Sequence, residues 1–223
     1  MLDLGFYNMD CMDGMKHFPD KYFDLAIVDP PYGIGESGSK NKTRGCLAKS
    51  KDYKSFFGND VSTPDSDYFQ ELFRVSKNQI IWGANHFISK IPIDSSCWIV
   101  WDKENGKTDF ADCELAWTSF QTAVRKFSFR WQGMLQGDMR NKESRIHPTQ
   151  KPVRLYIWIL QNYAKSGDKI LDTHVGSASS LIACHNLGFD YVGFELDPDY
   201  YKAASKRLAD AKAQVNMFEI LGG

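Results

Sequence analysis

Three stretches of the 223-residue chain carry side chains whose types and order could do chemistry. The first is Asp29-Pro30-Pro31-Tyr32. An amino group on a purine or pyrimidine is a poor nucleophile, because its lone pair is delocalised into the ring. Two acceptors set on its hydrogens, the Asp29 carboxylate and the Pro30 carbonyl, would draw the nitrogen towards tetrahedral geometry and free that lone pair for an electrophile. The prolines, Pro30 and Pro31, fix φ and bring no N–H to compete for the carbonyl. Tyr32 would offer a ring on which a base could stack. The plain alternative is a stiff strand exit followed by a packed tyrosine.

The second stretch runs from Asp172 through Gly176 and Ser177 to a further strand ending in Glu195. This pattern reads as a nucleotide-binding βαβ unit. Gly176 lets backbone approach a ligand closely, the helix opening there offers free N–H groups, and Glu195 could accept hydrogen bonds from both ribose hydroxyls. The G-x-G-x-x-G spacing of dinucleotide sites is absent, so alone the unit is equally a tight turn in an ordinary α/β sheet. Between these two lies the third stretch, His147-Pro148-Thr149-Gln150-Lys151-Pro152.

The elements needed to position these residues are legible in the apolar periodicity. FDLAIV (Phe23 to Val28) is a short continuous apolar run ending at Asp29, as in a buried parallel strand. A helix over DSDYFQELFRVS and strands over NQIIWG, CWIVW and CELAWTSF follow, with Gly106 in the turn between the last two. KFSFRW alternates, Phe127, Phe129 and Trp131 against Lys126, Ser128 and Arg130, which predicts a half-buried edge strand with a basic face. In the C-terminal third, Pro152 is predicted in the first turn of a helix ending near Gly167. KILD, a helix stopped by Gly188, YVGFE and a last helix capped by Asp197 complete a βαβα pattern. Strands alternating with helices indicate an open α/β sheet forming one domain over residues 1–223.

Composition narrows the classes. With 43% hydrophobic and 25% charged residues the chain is an ordinary globular one, and no apolar stretch is long enough to span a membrane. No secretion signal is evident at the start. Five scattered cysteines without a C-x-x-C pair fit reduced thiols in a cytoplasmic protein; neither they nor the five histidines suggest a metal site. The net charge of −1 does not favour a polyanion, but distribution matters more than the sum. Basic residues gather in two runs, one holding Lys40, Lys42 and Arg44 and the other Arg140, Lys142 and Arg145, each flanking a candidate motif.

DPPYGIG, WIVWDK, HPTQKP, LDTHVGS and YVGFELDPDY, in that order, resemble the β-class amino-methyltransferases of DNA over nearly the whole chain. The resemblance implies a Rossmann-like class I methyltransferase sheet, circularly permuted so that the catalytic half precedes the cofactor half. Seven strands, helices on both faces and one antiparallel edge strand are expected. It implies S-adenosyl-L-methionine as methyl donor and double-stranded DNA as partner. Asp29, Pro30, Pro31 and Tyr32 then form the catalytic motif. Lys151 and Asp172 lie near the donor's methionine portion, with Asp29, His174, Gly176 and Ser177 beside them; Asp10 and Cys11 lie near its adenine, and Glu195 on its ribose. Asp rather than Ser at the head of the motif favours N6 of adenine over N4 of cytosine. Target recognition is expected within residues 103–146, helped by a mobile loop over residues 33–60, with Lys40, Lys42, Arg44, Arg140, Lys142 and Arg145 on phosphates. A homodimer is left open.

The chain also departs from the family's pattern. Thr173 stands for the usual Pro, His174 for Phe, Ala178 for the second Gly and Ser179 for Thr. His174, titrating near ~6.5 as a free histidine does, should make cofactor affinity fall between pH 8 and pH 5.5. Rival readings are methylation of RNA or of an amide nitrogen, a catalytically silent DNA-binding module, and a nicotinamide-dependent dehydrogenase; the missing glycine fingerprint and the DPPY motif disfavour the last.

Overall fold

The computed structural model describes residues 1–35, 62–106, 111–132 and 135–221. Eight strands form one sheet: β1 (Gly5–Asn8), β2 (Phe23–Val28), β3 (Ser76–Trp82), β4 (Trp98–Asp102), β5 (Cys113–Thr118), β6 (Arg125–Ser128), β9 (Lys169–Asp172) and β10 (Asp190–Glu195). Their order is β1-β10-β9-β2-β3-β5-β4-β6, and a separate hairpin pairs β7 (Trp131–Gln132) with β8 (Leu135–Gln136). The helices are α1 (Cys11–Met15), α2 (Ser66–Val75), α3 (Val153–Tyr163), α4 (Ser179–Leu187) and α5 (Pro198–Leu221).

The two-residue period of a strand explains the layering. Leu25 and Ile27 of β2 point to one face, where Leu155, Ile159 and Leu160 of α3 and Ala183 and Cys184 of α4 meet them. Ala26 and Val28 point to the other, against Met15 of α1 and Phe69, Leu72 and Val75 of α2. Over residues 25–28 β2 is therefore apolar on both faces, as burial on both sides requires. Side chains such as Ile27 and Ile80, at most 1% exposed, contribute about 1.5–3 kcal/mol each. Helix α5 joins the α4 side through Ala204 and Leu208, which pack on Leu181 and Ile182.

Three expectations change. The sheet has eight strands, and the antiparallel one is β5, interior between β3 and β4. The ten residues between β4 and β5 are fewer than the crossover to a parallel neighbour needs, and β5 pairs antiparallel with β4. The edge belongs to β6, parallel to β4. The alternating KFSFRW run breaks after Ser128: the Phe129 N–H donates to the Asp102 carbonyl at 3.0 Å, and the chain leaves the sheet for the β7–β8 hairpin. Phe127, Phe129 and Trp131 nevertheless pack into the same core cluster, as the alternation required. Helix α3 starts one residue after Pro152 and ends at Tyr163, short of Gly167. Pro152 has no side chain to cap it, so the Glu143 carboxylate accepts the Val153 N–H at 2.9 Å.

In β1, β10, β9, β2 and β3 the parallel strands run the same way, so Asn8, Glu195, Asp172, Val28 and Trp82 end on one edge of the sheet. Open α/β sheets bind ligands at this carboxyl edge. Both chemical motifs are carried there.

Candidate active site

Asp29 follows the last residue of β2, and the two prolines after it let Tyr32 fold back. The Tyr32 hydroxyl donates to Asp29 Oδ1 at 2.7 Å. The tyrosine ring lies on the backbone of Gly83, just past β3: a Cβ built there would stand 2.0 Å from a ring carbon, and Gly83 has φ +67°. Only glycine fits this position. The His86 ring, on the short turn Ala84–His86, stacks on Tyr32 at 5.1 Å between centroids and 15° between planes.

Lys151 reaches the same place from the segment before α3. Its Nζ donates to Asp29 Oδ2 at 2.7 Å and to Tyr32 Oη at 3.0 Å, and pairs with Glu114 Oε2 at 2.9 Å. Glu114, the second residue of β5, also pairs with Lys103, which follows β4. The resemblance put Lys151 beside the donor's methionine end; its ammonium is bound to the DPPY motif itself. Burial would raise the Glu114 carboxyl, but the ammonium groups of Lys151 and Lys103 outweigh it and hold the group at about 2. Burial raises the Asp29 carboxyl, with Lys151 opposing and the charge of Glu114 adding to the rise. Burial disfavours the Lys151 ammonium, yet Asp29 and Glu114 together raise it above its ordinary value.

The second half of the site lies at the ends of β9 and β10. Asp172, 2% exposed, accepts the His174 N–H at 3.0 Å on Oδ1 and the Ser180 hydroxyl on Oδ2. Its burial lifts the carboxyl to about 7. Glu195 accepts the Gly176 N–H at 2.8 Å and the Asp197 N–H at 2.9 Å, one on each oxygen, and burial raises it too. Gly176 has φ +55°, and the His147 ring lies beside its turn while packing on Tyr200 at 4.3 Å. Asp10 caps α1, accepting the Met12 N–H at 2.7 Å, and is exposed. Burial and Asp10 push the neighbouring Cys11 thiol up to about 12, so it stays protonated. Ser177 is turned into the fold: its hydroxyl bonds Ser179 Oγ at 3.0 Å and its carbonyl accepts from Arg207 at 2.6 Å.

Two of the departures from the family's pattern, Thr173 and His174, are bonded to one another and to Tyr68. The Tyr68 hydroxyl meets Thr173 Oγ1 at 2.7 Å, and Thr173 Oγ1 meets His174 Nδ1 at 2.9 Å. The Tyr68 ring stands edge-on to His174 at 5.5 Å. Burial lowers His174 to about 4, not near ~6.5, so the imidazole is neutral across the pH 8 to 5.5 range and the expected affinity change there does not arise from it. Ala178 takes the left-handed conformation, φ +62°, at the place where the family has glycine.

Among the basic residues, Lys40, Lys42 and Arg44 lie outside the described residues, as does most of the loop 33–60. Arg140 and Lys142 are exposed. Arg145 is half-buried, its guanidinium 5.3 Å above the Trp131 ring. Sequence reasoning missed Glu114, Lys103, Gly83, His86, Tyr68 and the Arg207–Glu143 pair, which links the Ser177 turn to the start of α3. Only Gly83, a glycine directly after a strand, carried a local signal. Among the described residues, no group of three or more His, Cys, Asp or Glu side chains is arranged to hold a metal, and no helix is long and apolar enough to cross a membrane.

The chain is similar to the Type II methyltransferase M.HinfI of Haemophilus influenzae, 26% identical over 95% of this chain and 70% of that one. Among solved structures it resembles the M1.HpyAVI–SAM complex (TM-score 0.56, 22% identity, 92% of this chain and 100% of that one). It likewise resembles the cytosine-N4-specific PvuII DNA methyltransferase (TM-score 0.57, 12% identity, 95% and 92%). These likenesses establish the class I methyltransferase fold. The family model for N6- and N4-type DNA methylases matches residues 23–206, which include the DPPY cluster, HPTQKP and the ends of β9 and β10, and the chain belongs to that family.

Proposed function

We propose that this DNA methyltransferase transfers a methyl group from S-adenosyl-L-methionine to N6 of adenine in duplex DNA. The observation that carries the reading is the Asp29 cluster on the same sheet edge as the Asp172–Glu195 turn, with β2 and β9 adjacent strands. When bound, the donor supplies an electrophilic methyl on a positively charged sulfur. The residues fit such a group. Glu195 keeps a lone pair on each oxygen after accepting two backbone N–H groups, enough for two ribose hydroxyls. Asp10 has acceptor capacity for the adenine end. Tyr68 and His174, both uncharged at neutral pH, make a wall that does not repel a sulfonium.

At the catalytic motif, Asp29 has used one acceptor site on each oxygen and retains the others for an amino hydrogen. The Pro30 carbonyl takes the second hydrogen, and the flipped base stacks on Tyr32 in place of the His86 ring, on the opposite side from Gly83. Asp29, raised by burial, then accepts the proton that the amino nitrogen sheds as its bond to carbon forms. Orientation of nitrogen against methyl supplies most of the acceleration, and no covalent enzyme intermediate is called for. Asp at the head of the motif supports adenine over cytosine. Residues 103–146 and the loop 33–60 read the target, with Arg140 and Lys142 on phosphates, in the cytoplasm of a bacterial or phage-infected cell. Sequencing DNA from cells that express the protein, with modification-sensitive reads, tests this: N6-methyladenine at one short motif is expected, and N4-methylcytosine or unmodified DNA would overturn it.

A further inference from the structure

The pair formed by Asp29 and Lys151 is the middle of a longer chain of charges. Lys103, Glu114, Lys151 and Asp29 alternate in sign, each bonded to the next, and their formal charges sum to zero. Among the described residues, the other titratable groups around this chain are Tyr32, Tyr68 and Tyr156, all protonated, Asp172, which also feels the charge of Asp29, and His86, stacked on Tyr32. The Lys151 side chain is 3% exposed, so water cannot screen its charge. With Asp29 as its only anionic partner, Lys151 would cancel the negative charge that the reacting amino group needs. The second partner changes this.

The geometry points to Glu114 as a positioning residue for methyl transfer: by taking up the charge of Lys151 at 2.9 Å, it leaves Asp29 with excess negative potential towards the reacting nitrogen and the sulfonium. This role rests on the reading of Asp29 as the group that holds the target amine. Removing the charge of Glu114 leaves two lysines against one carboxylate, a net charge of +1 in a buried site. Positive charge on the donor's sulfur, and positive charge developing on the nitrogen, are then both opposed. Across a buried site, at the effective dielectric of about 20 usual in proteins, one unit charge shifts such an equilibrium by about tenfold.

The test uses two ligands that differ in that one charge. Calorimetric titration of S-adenosylmethionine, a sulfonium, and S-adenosylhomocysteine, whose sulfur is neutral, is run on the wild-type protein, Glu114→Gln, Lys103→Gln and the double variant. Glu114→Gln should weaken the sulfonium ligand about tenfold and the neutral one by less than about twofold, with kcat falling by at least as much as sulfonium affinity. The double variant, neutral overall, should regain part of the sulfonium affinity but little of kcat, because Lys151 is left with Asp29 as its only anionic partner. Lys103→Gln alone should shift the ratio the other way, and it serves if Glu114→Gln fails to fold. Equal weakening of both ligands, an unchanged ratio in Lys103→Gln, or no recovery in the double variant would overturn the role of Glu114. A wild-type protein that binds neither ligand, or Asp29→Ala with normal turnover, would instead overturn the underlying reading.

Discussion

Gly83 is where the fold and the chemistry press hardest on one another, and Gly83→Ala measures that pressure. The new methyl carbon would stand 2.0 Å from Cε1 and 2.4 Å from Cζ of Tyr32, inside any tolerable contact. The backbone at φ +67° adds a left-handed penalty of about 1–2 kcal/mol for a residue with a Cβ. Relieving the clash by moving a packed ring costs about 1–3 kcal/mol more. The sum, about 2–5 kcal/mol, corresponds to a fall in Tm of roughly 4–20 °C for a domain of this size. Gly167→Ala is the matched control: its φ of +87° carries a similar backbone penalty, yet nothing lies within 4 Å of the new methyl. The difference between the two variants therefore isolates the Tyr32 contact. Because the shifted ring takes its hydroxyl away from Asp29, Gly83→Ala should also lose methyl transfer at temperatures where it is still folded, while Gly167→Ala should not. Thermal melts monitored by circular dichroism and tritiated methyl transfer at about 20 °C give both numbers, the temperature lying well below the midpoint of an ordinary domain. Equal Tm shifts, or full turnover in folded Gly83→Ala, would refute the packing of Tyr32 on Gly83.

Further variants address the rest of the site. His174, at about 4 in the folded chain and near ~6.5 when unfolded, adds stability that is full above pH 6.5 and is lost as pH falls through that value towards 4. Its contribution to cofactor affinity is accordingly flat from pH 8 to 5.5, and His174→Phe should share the wild-type pH dependence there when both are titrated; a steep wild-type fall that the variant abolishes would contradict its burial. Arg207→Met strands the Glu143 carboxylate and should cost about 3–5 kcal/mol in denaturant melts, with weaker cofactor binding through the Ser177 turn. A smaller loss is expected for Glu143→Gln, since its amide oxygen can still accept the Val153 N–H. Charge removal at Arg140 and Lys142 should flatten the dependence of log K on log salt by about 0.9 for each phosphate no longer neutralised; Arg145→Gln should leave that slope nearly unchanged and mainly lower stability through Trp131.

The strands that carry the motifs were legible because burial on both faces leaves an unbroken apolar run, as in residues 25–28, and because Gly188 and Asp197 mark helix ends by local backbone needs. The position of β5 was not, since the order of strands depends on which partner edge a segment meets, and CELAWT reads alike in either direction. DPPY announced its own chemistry through residue types that are adjacent in sequence. The bonds of Lys151 and Glu114 to it span separations of 122 and 82 residues, and no local pattern encodes such a meeting. His174 shows the same limit from the other side. Its identity was plain, but its titration is set by burial, and its partners Thr173 and Tyr68 make sense of each other only once the chain is folded.

The central claim is that Asp29 handles the target amine of adenine while the ends of β9 and β10 hold the methyl donor. Its most direct test compares wild-type protein with Asp29→Ala in one experiment, incubating each with duplex DNA and labelled S-adenosylmethionine. The DNA is then digested to nucleosides for mass spectrometry, and donor affinity is measured in parallel by calorimetry. The wild-type chain should yield N6-methyladenine. Asp29→Ala, which like Glu114→Gln leaves the charge cluster at +1, should bind the donor about tenfold more weakly. At saturating donor it should form less than about 1% of the product, as expected when a group acting in the transition state is removed. Label recovered in N4-methylcytosine would contradict the adenine assignment, and substantial N6-methyladenine from Asp29→Ala would contradict the mechanism.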